Sequence, residues 1–444
     1  MKIKAFTLLA IIFILFSGFL SGQTFDIEKL DSLLDLLARK NKAMGSLALS
    51  RNGNIVYAKS IGYSLITPQN KIESDEDTKY RIGSVTKMFT ATLIFQLIEE
   101  GKIDLTATLD NYYPEIPNAK LITIAYLLNH RSGIHSYSDD STYLKWMTRP
   151  KTHDEMIRII SAGKPEFRPG SQAAYNNSNF VLLGYIVEKI CNKTFNEVLR
   201  EKICTKIGLT DTYYSGKTNT SQHESYSYTY EGSWIQKPET DMSIPHGAGA
   251  LVSTPSDLVR FIDALFAGQL INENSLNQMK TITDGFGMGM FQYPFLNKTA
   301  YGHTGSVDGF GSTMGYFPED KLAFAYISNG TVYPALEILF GALKIYFNLP
   351  YEFPVFTVYF VPQAELDQYL GIYSSAQMPI QLTMTKNNGM LYGQATGQPA
   401  LPLEAVAKNI FKLEMVGAVI KFSPDKHEFV LEQGGRKFTF TRNK

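Results

Sequence analysis

Ser84 and Lys87 stand three apart in YRIGSVTKMFTA, where an apolar-periodic run begins. Residues three apart on a helix share a face, so the lysine amine would lie beside the serine hydroxyl. Burial disfavours the ammonium and lowers a lysine's pKa, which equips the amine to take the hydroxyl proton. The N–H groups free at a helix start would face a developing oxyanion. An ordinary helix start explains the same spacing, because serine is a favoured N-cap. Ser-x-x-Lys is unspecific alone: the chain repeats it at Ser161–Lys164, followed by Pro165, and at Ser423–Lys426, which spans Pro424 in a β-patterned region. Only Ser84–Lys87 opens a long periodic run, with Met88, Ala91, Phe95 and Ile98 on one face and Gly101 at its stop.

A serine nucleophile needs partners, and two downstream stretches offer them. Tyr175–Asn177 lies in FRPGSQAAYNNSNFVLLGY, a polar loop before a helix pattern. A tyrosine there could move protons between nucleophile and leaving group, and Asn177 could hold a substrate amide. Helix capping is the competing role for Asn176 and Asn177. A second Tyr-x-Asn, Tyr346–Asn348, falls at the last helix pattern before a Pro-rich segment and reads as packing. The other stretch is His303-Thr304-Gly305-Ser306. A strand ending in small residues lets a substrate backbone lie alongside, with the Ser306 N–H turned inward, and His303 supplies polarity or charge for a carboxylate. An ordinary turn fits those four residues equally well.

Other chemistries lack their residues. There is no GxSxG elbow and no GxGxxG after a strand pattern. Gly216-Lys217-Thr218 ends like a phosphate loop, but position 211, where the leading glycine belongs, is Asp. Lys and Arg total 42 against 42 Asp and Glu, so no basic excess marks a nucleic-acid partner. Two cysteines cannot build a thiolate zinc site and the seven histidines form no HExxH, so neither metal nor cofactor is expected.

The elements that would carry these residues are legible as patterns. Lys2 and Lys4 precede an apolar run to Leu20, then Ser21 and Gly22; residues 1–22 read as a secretory signal, without a cysteine for lipid attachment. A secreted or periplasmic location follows as an expectation. There Cys191 and Cys204 could pair, but the expectation is that they do not. Ile27, Leu30, Leu33, Leu34 and Leu37 stripe a helix, and Asn52-Gly53 suits a hairpin turn. Further helices are expected over 178–190 and 255–267, the latter capped by Thr254 with Pro255 first. Strands over 286–293, 300–305, 311–318 and 321–330 read as a meander. The segment 350–362 holds three prolines and reads as a linker between a 23–349 domain and 363–444, where alternation (Ile380, Leu382, Met384) predicts a small β-sheet or barrel.

Taken in order, the three motifs resemble the serine β-lactamase and penicillin-binding superfamily. The likeness is to the branch of class C β-lactamases, D-Ala-D-Ala carboxypeptidases, D-aminopeptidases and related esterases. LLNHRSGIHSY (127–137) and GAGALVSTPSDLVRFIDAL (247–265) add to it, from about residue 26 to 347. The resemblance implies an α/β (α+β) fold, an antiparallel sheet flanked by helices beside a mostly helical lobe. It implies Ser84 as acylated nucleophile, Lys87 as its base and Tyr175 as general acid/base. Asn177 would bind the acyl amide, His303, Thr304 and Gly305 would form the strand beside the site, and the Ser84 and Ser306 N–H groups would make the oxyanion hole. Many β-lactamases of this branch have lysine at the position of His303, which moves the expectation toward peptidase or esterase. The 363–444 segment resembles a β-domain often appended to such hydrolases.

The expected activity is therefore an exported serine hydrolase acting through a Ser84 acyl-enzyme, D-Ala-D-Ala carboxypeptidase-like first, with β-lactamase or esterase next. A non-catalytic penicillin-recognising sensor is the alternative from another class. The expected partner is a small peptide, β-lactam or ester, with no nucleic acid, no membrane anchor after signal cleavage, and the oligomeric state open.

Overall fold

A computed structural model describes residues 25–357, 359–387 and 389–443. The signal expected over residues 1–22 lies outside them. Helix α1 (Ile27–Arg39) starts at Asp26, whose carboxylate accepts the Lys29 N–H at 2.8 Å. Leu30, Leu33, Leu34 and Leu37 are buried, but Ile27, the first residue of the helix, is 49% exposed. Strands β1 (Ala43–Arg51) and β2 (Asn54–Ile61) join through Asn52 and Gly53, at φ 53° and 77°, the left-handed pair a two-residue hairpin requires.

The chain returns to this sheet only after some 230 residues, with β3 (Phe291–Phe295), β4 (Lys298–Val307), β5 (Phe310–Phe317) and β6 (Leu322–Thr331). The six strands run β3-β4-β5-β6-β1-β2, antiparallel throughout. The strand expected from 286 begins only at Phe291. Gly/Met alternation in FGMGM imitates a strand, but Gly289 sits at φ 73° and Gly287 N–H bonds back to Met290 O, so the segment is a turn.

Period-2 alternation serves two cores at once. Leu322, Phe324 and Tyr326 of β6, with Leu47 and Leu49 of β1, pack under α1 and the later helix Ala335–Tyr346. Ala323, Ala325 and Ile327, with Ala48, face the larger core. Three helices of that core matter most for the site: α2 (Thr86–Glu99), α3 (Asn177–Cys191) and α4 (Pro255–Phe266). Each fully buried leucine or isoleucine there contributes about 1.5–3 kcal/mol. The α2 helix was expected to bury one face; Thr86 through Leu97 are all buried, since sheet and helices surround it. Its polar side chains find partners, Thr90 Oγ1 on Gly247 O at 2.6 Å and Gln96 Nε2 on Leu270 O at 3.0 Å.

Eight antiparallel strands between Gly371 and Arg442 close into a barrel. Its interior is filled by Tyr369, Tyr373, Phe411, Phe422, Phe429 and Phe440, so it is a packed core. Buried Lys42, at the start of the first sheet, forms an ion pair with Glu404 of the barrel. The turn of the hairpin 228–236 also reaches the barrel, since a Cβ on Gly232 would lie 3.3 Å from Met390 Sδ. Among the described residues no helix is long and apolar enough to cross a membrane.

Candidate active site

The approach to Ser84 is a backbone arrangement before it is a set of side chains. A 3₁₀ turn, Gly83–Val85, leads into α2. Gly83 has φ 49°, and a Cβ there would meet the Ser306 backbone at 2.9 Å. From the other side, a Cβ on Gly305 would collide with the Ile82 carbonyl and the Ser312 hydroxyl and come within 2.9 Å of Ser84 N. Two glycines therefore bring β4 against the helix start, with the Ser84 and Ser306 backbones side by side. The capping role open to Ser84 is not used: the turn and helix carry no side-chain cap, and its hydroxyl pairs with Lys87.

Lys87 is fully buried, and loss of hydration pushes its amine well below the ordinary lysine pKa. Nζ makes three contacts: Asn177 Oδ1 at 2.8 Å, Ala248 O at 2.9 Å and Ser84 Oγ at 2.9 Å. The first two atoms can only accept, because Asn177 spends its Nδ2 on Ser138 Oγ at 2.8 Å. A neutral amine has two N–H donors and one lone pair. Both donors are consumed, so the lone pair is left for the Ser84 hydroxyl, which is the geometry of a general base.

The start of α3 separates the two asparagines. Asn176 is the N-cap, its Oδ1 accepting Asn179 N–H at 3.1 Å, while Asn177 at the first helical position turns to Lys87. Tyr175 precedes them, with Lys87 Nζ 4.9 Å from its ring centroid. Although 37% of Tyr175 is exposed, crowding by His130, Phe291 and His303 raises its phenol pKa, and the Ser84 hydroxyl pulls it only partly back. The phenol is thus a proton donor at neutral pH. Its loop hangs on His130: Ala174 N–H donates to His130 O at 3.0 Å, and Asn176 N–H to His130 Nδ1 at 3.1 Å.

On β4 the side chains alternate, and of the polarity or charge open to His303 its surroundings leave polarity. The ring is 1% exposed, packed 4.6 Å from Phe291, and its Nδ1–H donates to the Thr304 carbonyl. Burial is the main cause that lowers its pKa to about 3, so it is neutral. Its Nε2 has no partner among the described residues. Thr304 and Ser306 point the other way and are exposed. Ser84, Asn177, Ala248 and Ser306 line an open cleft of about 540 Å³, together with Ser138, Tyr143, Lys237, Thr240 and Asp308. Lys87 lies behind Ser84, outside that lining, and His303, Thr304 and Gly305 do not form its wall.

The beta-lactamase family model matches residues 34–339. The chain belongs to that family. A putative penicillin-binding protein, PbpX, of Bacillus subtilis is 29% identical over 60% of this chain, which spans 65% of that relative's length. Penicillin-binding protein 4* of the same organism is 25% identical over 94% of this chain and 99% of its own. The D-amino acid amidase of Ochrobactrum anthropi shares the fold, with TM-score 0.65 and 24% identity over 72% of this chain and 99% of its own.

Sequence reading missed Ala248 O, Ser138 and His130 as parts of the site. GAGALVS and LLNHRSGIHSY contain or adjoin them, but a carbonyl acceptor has no side-chain signature. The two cysteines are free, as expected; Cys204 is buried against Thr212 O, with its thiol pushed up to about 12 by burial.

Proposed function

We propose that this member of the beta-lactamase family is a serine hydrolase cleaving amide or ester bonds through a Ser84 acyl-enzyme, with D-Ala-D-Ala carboxypeptidase-like activity. The observation that carries the proposal is the three-way coordination of the Lys87 amine, with its lone pair left for Ser84 Oγ. Ser84 Oγ attacks the carbonyl as its proton passes to Lys87. The Ser84 and Ser306 N–H groups receive the oxyanion, an interaction that contributes about 3–4 kcal/mol per donor in hydrolases. The Tyr175 phenol protonates the leaving group and is reprotonated from Lys87, which restores both groups. Water then attacks the acyl ester, gives up its proton by the same relay, and frees Ser84.

The penicillin-binding names of the B. subtilis relatives support the peptide end of this range. The apolar run and small residues over 1–22 support export, and with it a cell-wall peptide substrate. The test is incubation of the protein and Ser84→Ala with a fluorescent penicillin, alongside turnover of a cephalosporin, a D-Ala-D-Ala peptide and an aryl ester. Labelling that needs Ser84, with peptide turnover, is the expected result. Rapid release of opened β-lactam identifies a β-lactamase instead, and stable labelling without turnover a sensor. Neither labelling nor turnover overturns the proposal.

A further inference from the structure

Two charged residues line the cleft, Asp308 and Lys237, and they are in opposite situations. The Asp308 carboxylate is buried, with Oδ2 on Arg81 Nη1 at 3.1 Å and Oδ1 on Thr240 N and Oγ1 at 3.0 and 2.7 Å. Glu239, off the cleft wall, is bonded to the other arm of Arg81 and to Thr218. The Lys237 ammonium has no ion pair or hydrogen bond among the described residues. Its stem is nevertheless held in place. Lys237 N–H donates to Ser227 O at 2.8 Å, Gly309 N–H donates to Ser227 Oγ at 3.0 Å, and a Cβ on Gly309 would lie 3.1 Å from Lys237 Cγ. Lys237 is thereby fixed against the turn that follows Ser306 on β4. Neutral His303, meanwhile, lies under the strand and leaves a carboxylate in the cleft without its charge.

We propose that Lys237 is the residue that selects substrates carrying a free carboxylate next to the scissile bond, by a charge-assisted hydrogen bond across the cleft. The inference rests on the acyl-enzyme reading and adds to it the residue that would hold the free carboxylate of a peptide or β-lactam substrate. The hairpin that leads into Lys237 is the one touching the barrel at Met390, so the appended domain buttresses the element that presents this charge.

The test compares acylation of Ser84 by benzylpenicillin and by its uncharged methyl ester, in the wild type, Lys237→Gln and Lys237→Arg. A hydrogen bond to a charged group is expected to favour the acid by roughly tenfold in acylation efficiency. Lys237→Gln should lose that preference by slowing the acid alone, and Lys237→Arg should retain most of it. Equal slowing of acid and ester in Lys237→Gln, or no preference in the wild type, overturns the assignment while leaving the acyl-enzyme intact. Absence of any Ser84 adduct from either compound overturns the acyl-enzyme reading, and the assignment with it.

Discussion

Replacing Lys87 by Met should separate catalysis from stability. Methionine nearly fills the space of the lysine stem but removes Nζ and its three contacts. Each such hydrogen bond has a net worth of about 0.5–1.5 kcal/mol, so their loss alone would cost about 1.5–4.5 kcal/mol. A second effect opposes it. The folded-state pKa of Lys87 is depressed, so between that value and the ordinary 10.5 the unfolded chain holds a proton that the folded chain does not. Wild-type stability is therefore greatest toward pH 10.5 and falls as pH is lowered through that window; the variant lacks this dependence. At pH 7 the two should differ by less than about 2 kcal/mol, and the difference should shift in favour of Lys87→Met as pH falls from 10 to 7. Acylation should fall by about 10²- to 10⁴-fold, the worth of a positioned general base. Single-turnover labelling with fluorescent penicillin and urea unfolding at several pH values measure both. A variant that acylates within about threefold of wild type would refute the base assignment, far inside the range expected for losing it. A stability difference that does not change with pH would refute the depressed pKa.

Three further expectations follow from particular contacts. Gly305→Ala would drive a methyl group into Ile82 O and Ser312 Oγ and displace the Ser84 N–H, so acylation should drop by about 10²- to 10³-fold; retained activity would show that the strand can move. Lys42→Met leaves Glu404, itself 23% exposed, without its buried partner and should cost about 1–3 kcal/mol in denaturant unfolding, with acylation rates unchanged. With both thiols free, the native protein should react with a thiol reagent faster at the half-buried Cys191 than at Cys204, and the denatured protein at both without reductant. Reaction at neither site in the denatured protein would reveal a disulfide.

The sequence was most readable where a residue type has a single use. Asn52-Gly53 marked the first hairpin, Thr254-Pro255 the start of α4, and the leucines of α1 its buried stripe. Ser84, Lys87, Tyr175 and Asn177, spread over 94 residues, do converge, because α2 and α3 begin side by side. What was not legible depends on three-dimensional surroundings. Burial all round α2 is set by what packs on it, and FGMGM has the alternation of a strand but the dihedral angles of a turn. His303 could have supplied either polarity or charge; its neutrality comes from burial beneath Phe291 of the neighbouring strand and Tyr175 of a distant loop. Ala248 contributes a carbonyl, which any residue could supply.

The central claim is that buried Lys87 rests as a neutral amine with its lone pair on Ser84. The most direct measurement is the titration of its side chain by NMR, with ¹³C- or ¹⁵N-labelled lysine and Lys87→Met to assign the resonance. The account predicts a midpoint well below 10.5, matched by the acidic limb of the acylation pH profile. A Lys87 that stays protonated up to its ordinary pKa would contradict it.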